Sequence, residues 1–151
     1  MAAANTALAS DPVKQFSVFI QNRVGRLYDL ANLLAAHNVH VIAMATVDTT
    51  DSAIVRLIVD DPDRAREQMV INDFAFTECD VLAVEFPDES RLKALLGALL
   101  AVEVNIHYVY AFILRPGGQP ALALNLEDAD LAAQALNGAG FRVLTQRDIS
   151  R

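Results

Sequence analysis

The chain has 151 residues, 54% of them apolar, and carries a formal charge of −7 with a pI near 4.8. An acidic chain with no basic cluster is a poor match for nucleic acid or an anionic membrane surface, which are bound through Lys and Arg. The longest apolar run, 94–102, is too short to span a bilayer, and a single cysteine, Cys79, excludes an internal disulfide and any cysteine-based zinc site.

Residues 1–12 are Ala-rich but lack the positive segment and long apolar core of a secretion signal, so they read as a disordered leader. Phe16, Val18 and Ile20 fall on one face of an alternating segment, the pattern of a strand with one buried side. A turn over 22–25 follows. Leu27, Leu30, Ala31 and Leu34 then form the apolar stripe of a helix that Asn38 suits at its C-terminal end. Residues 39–47 and 53–59 are β-prone around a polar turn. Asp61-Pro62 reads as the cap and first position of a short helix through Val70. Residues 74–78 close the unit as a fourth strand.

The order is β-α-β-β-α-β, and residues 82–145 give it again. Leu82, Val84 and Phe86 start a strand, and Leu92, Leu95, Leu96, Leu99 and Leu100 form a helical stripe. Residues 105–114 form a strand, Arg115-Pro116-Gly117-Gly118 a type II turn, 120–126 a strand, 128–137 a helix ended by Asn137-Gly138, and 141–145 the last strand. The copies are offset by 66 at their first strands, 65 at their first helices and 67 from the hairpin onward. A duplicated small unit of this order implies an α+β fold, two ferredoxin-like modules with antiparallel sheets and both helices of each on one face. Right-handed crossovers put the first and third strands of each module side by side. The expected modules are 13–79 and 80–151, rigidly joined at Cys79-Asp80.

The Asn22-Arg23-Val24-Gly25-Arg26-Leu27 loop ahead of the first helix and His37-Asn38-Val39-His40-Val41 leading into the second strand resemble the ACT domain, twice over in one chain. The resemblance implies a non-catalytic regulatory protein that senses a small molecule, typically an amino acid, and associates with an enzyme of amino-acid metabolism. It implies a ligand between two ACT units, against this loop and the facing second strand. Carried over, the site is Asn22, Arg23, Val24, Gly25, Arg26 and Leu27, with Ile42 and Met44 facing it; no catalytic residue, metal or cofactor is implied. A glycine lets a ligand approach the backbone, and helix N-terminal amides attract a carboxylate. Val24 stands where the family often has proline. The second loop, 87–92, is one residue shorter, has Ser90 in place of Gly25, and brings Asp88 and Glu89 where a carboxylate would sit. It is expected to be weakened or lost. A homodimer with paired edge strands and a cytoplasmic setting are also expected. The alternative is a protein-interaction subunit whose ligand sites are both degenerate.

Tyr108 and Tyr110 share one strand face and suggest sheet packing, a pocket or a dimer seam. His37, His40 and His107 lack metal-ligand spacing. The Asp60-Asp61-Pro62-Asp63 run is explained by helix capping, and Cys79 reads as an inert thiol.

Overall fold

The computed structural model describes residues 11–21 and 25–150. In chain order these form β1 (Val13–Gln21), α1 (Arg26–Ala36), β2 (Val41–Asp48), β3 (Ser52–Val59), α2 (Pro62–Ile71) and β4 (Ala75–Glu85). They continue with a 3-10 turn (Glu89–Arg91), α3 (Leu92–Ala101), β5 (Ile106–Ala111), β6 (Ala121–Leu126), α4 (Ala129–Gly138), β7 (Arg142–Leu144) and α5 (Gln146–Ile149). The strands are antiparallel in the order β2-β3-β1-β4-β6-β5, with β7 also on β4. First and third strands pair in both copies, as right-handed crossovers require.

The duplication extends to fine geometry. Asp61 and Asp128 cap α2 and α4 with the same backbone angles, each accepting an amide hydrogen three residues on at 3.1 Å. Both second strands carry an irregularity near their start, at Val41/Ala43 and Ile106/Tyr108.

Cys79 and Asp80 do not break the chain. The fourth strand of the first copy and the first strand of the second are one strand, β4. Its first half pairs with β1, its second with β6 and β7. The polar residues at the crossover are accommodated by side-chain partners. Glu78 pairs with Arg66, Asp80 takes the Lys14 ammonium at 2.8 Å, and the Cys79 sulfur accepts from Gln15 Nε2 at 3.5 Å.

Two cores lie between helices and strands. Phe16, Val18, Ile20, Leu30, Leu34, Val55, Leu57 and Met69 fill the first; Leu82, Val84, Leu95, Leu99, Leu124 and Leu136 fill the second. A third core lies on the strand faces turned away from the helices, where Val13, Ala43, Ile58, Tyr110, Ala121, Ala123 and Leu144 meet. The two ends of the sheet path come back together there, with Ala43 bridging Phe112. Gln15 is fully buried in this region. Its Nε2 donates to Tyr108 Oη at 2.7 Å, and its Oε1 accepts from Tyr110 Oη at 2.6 Å. The two tyrosines therefore pack between the halves of one chain.

Three local expectations are corrected. The Arg115–Gly118 turn has its closing bond, Gly118 N to Arg115 O at 3.0 Å, but the positive φ falls on Gly118 and not on Gly117, so it is not type II. Helix α4 runs through Gly138, and the left-handed break comes at Gly140 (φ 91°). The described residues also include a short helix after β7, α5, that periodicity does not reveal; Thr145 and Asp148 start it with a reciprocal capping box.

Candidate functional site

Asn22, Arg23 and Val24 lie outside the described residues. Their neighbour Gly25 sits at the start of α1 with φ 101°, a conformation that a side chain resists. Gly25 has no side chain with which to cap the helix. The first backbone amides of a helix have no partner within the helix and present partial positive charge. Arg26 leans back, its guanidinium 4.5 Å from the Phe74 ring centroid and 3.6 Å from Asp29. Leu27 and Tyr28 are exposed. Met44, on β2, is also exposed. Ile42 is placed differently: it is 5% exposed and packs with Ala43 and Ile58 in the core between the sheet halves.

The second copy departs from the first at this helix start. Asp88 accepts from Ser90 N at 2.8 Å and from the Ser90 hydroxyl, capping the 3-10 turn ahead of α3. These bonds hold the Asp88 carboxyl below its ordinary value. The amides that would greet a ligand carboxylate thus already face one from the chain itself.

Sequence reasoning missed two clefts at the opposite end of the first module. One, of about 600 Å³, lies beside the start of α2 and is lined by charged residues including Lys14, Asp60, Asp63 and Arg66. The other, of about 360 Å³, lies where both copies meet and includes His40, Ile42, Asp60, Leu114, Arg115 and Ile149. The Asp60-to-Asp63 run was the available signal. Asp61 is the helix cap, but Asp60 is 5% exposed, accepting from His40 N at 2.7 Å and lying 3.0 Å from His40 Nδ1. Burial pushes the Cys79 thiol above its ordinary value, opposed by a hydrogen bond with Tyr108, so this cysteine is no activated nucleophile.

No helix among the described residues is long and apolar enough to cross a membrane. No curated protein matches the chain. Among solved structures it is similar to protein BT0572 from Bacteroides thetaiotaomicron, with a TM-score of 0.83 and 29% identity, covering 93% of this chain and 96% of that one. It shares its fold with the ligand-free regulatory subunit of aspartate kinase from Thermus thermophilus (TM-score 0.59, 14% identity, 86% and 93% covered). The same subunit from Thermus flavus gives a TM-score of 0.53 at 14% identity, with 85% and 92% covered. The ACT domain pair family, a family of regulatory ligand-binding modules, matches residues 12–150. With the twice-given β-α-β-β-α-β order, this match over nearly the whole length establishes that the chain belongs to the ACT domain pair family.

Proposed function

We propose that this ACT domain pair is a non-catalytic cytoplasmic regulator that binds an amino acid at the start of α1. The supporting observation is the contrast between copies: α1 opens from a left-handed glycine without a side-chain cap, whereas Asp88 closes the corresponding turn of the second copy. The proposed ligand surface comprises Asn22 to Leu27 with Met44 on β2; Ile42, expected beside it, is instead buried in the core between the sheet halves. The modules are 13–79 and 80–151, meeting inside β4, and two chains form a dimer through edge strands. Thermal-shift measurements with the twenty amino acids test this. One or a few of them should raise the midpoint at millimolar concentration; no stabilisation by any counts against an amino-acid ligand.

A second reading is an interaction subunit for an enzyme of amino-acid metabolism. The closed second loop favours it, as does a fold shared with proteins described as regulatory subunits of aspartate kinase. Purification from native cells that retains the same enzyme with and without amino acid would support it.

A further inference from the structure

Helix α3 turns an aliphatic stripe to solvent that the fold does not ask of it. Leu95 and Leu99 are buried beneath the helix, but Leu96 is 40% and Leu100 77% exposed. With Glu89, Leu92, Lys93 and Gly97 they line a shallow groove along its outer side. The first copy shows what the scaffold needs at these places. At an offset of 65, Leu96, Gly97 and Leu100 correspond to Ala31, Asn32 and Ala35 of α1, which are exposed as well. The same helix position is thus built with small or polar residues in one copy and with leucine in the other.

Gly97 departs from the scaffold in a second way. Glycine inside a helix costs stability relative to alanine. A Cβ at Gly97 would meet no atom within 4 Å, so packing among the described residues does not call for a glycine. The notch it leaves lies between Lys93, four residues before, and Leu100, three residues after, and is the kind of hole into which a facing helix seats a side chain.

The ends of the stripe carry opposite charges. Lys93 and Glu103 are exposed, and neither side chain makes an ion pair or hydrogen bond with a described residue. They lie five positions to either side of Ala98. A second α3 turned antiparallel about an axis level with Ala98 brings Lys93 opposite Glu103 at both ends and Leu96 opposite Leu100 twice, with Leu100 beside the facing notch. A surface that holds both knob and notch, and both signs of charge, matches itself, as a two-fold contact requires. Copies of a chain with a charge of −7 repel one another in general, so a contact between them is favoured where opposite charges meet.

We propose that α3 pairs antiparallel with α3 of a second copy of this chain through Leu92, Leu96, Gly97 and Leu100, with Lys93 and Glu103 closing both ends. The contact is separate from edge-strand pairing, and a chain that uses both assembles beyond a dimer.

Sedimentation equilibrium of the full chain from micromolar to millimolar concentration tests it. The parent should associate. Leu100→Lys changes a side chain that is mostly exposed, so the variant should fold, and it should weaken association about tenfold or more. Gly97→Gln should weaken association as well, yet unfold in urea at no lower a midpoint when both proteins are dilute and dissociated, because glutamine suits a helix better than glycine. Lys93→Glu and Glu103→Lys should each weaken association about tenfold, and together they should restore it to within about threefold of the parent. A parent that stays a single chain throughout would overturn the proposal. So would a Leu100→Lys variant that associates like the parent, which would assign the contact to another surface, the strand edges included. Single charge reversals without effect, or a double reversal as weak as either single one, would overturn the antiparallel pairing. If the parent stays single and Leu100→Lys instead loses an enzyme that co-purifies with the parent, the face belongs to that enzyme and not to a second copy.

Discussion

Asp88 accepts the amide hydrogen of Ser90 at 2.8 Å, and the Ser90 hydroxyl as well, so the second copy meets its own helix start with a carboxylate. The first copy begins its helix from Gly25, which offers none. A repeated fold has thus kept its scaffold and differentiated one loop, which is how duplicated modules come to hold unequal sites.

Replacing Gly25 separates strain from crowding. A Cβ there would meet no atom within 4 Å, so the cost comes from φ 101° alone. Gly25→Ala should destabilise by about 1–2 kcal/mol, read from urea unfolding midpoints. An amino acid that stabilises the parent should stabilise this variant less. An unchanged ligand response would remove the α1 start from the binding surface.

Tyr110→Phe should cost about 1–3 kcal/mol. The lost hydroxyl is the donor to Gln15 Oε1, and Gln15 is fully buried, so its oxygen would be left without this bond. Gln15→Leu combined with Tyr110→Phe removes both partners of this bond but takes the Gln15 Nε2 donor from the Tyr108 hydroxyl, so it should recover only part of that loss. A double-mutant cycle in urea measures the coupling, and additive losses would show that the two groups are independent.

Glu78 gives a pH-dependent contribution of known sign. Arg66 donates to both carboxylate oxygens at 2.7 Å, and this bonding holds the Glu78 carboxyl below its ordinary value of 4.5, against the opposing effect of burial. A depressed folded-state value means the charged form favours folding. The contribution is complete above pH 4.5 and is lost as pH falls through the lower folded-state value. Glu78→Gln should therefore be less stable than the parent at pH 7, by about 0.5–1 kcal/mol for a pair this open to solvent. The two unfolding curves should converge below pH 4.5. A gap that stays constant down to pH 2 would contradict the ion pair as its source.

Periodicity made the modules legible because Phe16, Val18 and Ile20 face one helix layer and Leu82, Val84 and Phe86 the other. The opposite face was not legible. Gln15 and Ser17 look like solvent-facing residues in an alternating strand, yet Gln15 is sealed by two tyrosine hydroxyls that lie more than ninety positions away. Continuity of β4 was hidden for the same reason, since Cys79-Asp80 reads as a joint until Lys14 is seen beside Asp80 and Gln15 beside Cys79. The cleft where both copies meet joins Asp60 to Arg115 across the repeat, and no local pattern connects them.

The left-handed positions after the helices offer the cleanest comparison between copies. Asn38 and Glu103, offset by 65, have φ of 60° and 57°; Asp73 and Gly140, offset by 67, have 59° and 91°. Each is followed by an amide that reaches back into the helix, Val39 to Leu34 O at 2.9 Å, Val104 to Leu99 O at 3.2 Å, Phe74 to Met69 O at 2.9 Å and Phe141 to Leu136 O at 2.9 Å. The geometry is that of a helix C-terminus turned by one left-handed residue, which glycine meets without strain and asparagine tolerates. Glutamate has neither advantage. Glu103→Gly should remove strain of about 1–2 kcal/mol and return some of it as extra unfolded-state entropy, for a net gain of about 0.5–1 kcal/mol. Asp73→Gly should gain less, because a short acidic side chain tolerates this region, and Asn38→Gly should change little. Gly140→Ala should lose about 1–2 kcal/mol. Urea midpoints measured at constant slope would rank the four. If Glu103→Gly proved no more stable than the parent, the strain would have to be absorbed elsewhere in the α3 terminus.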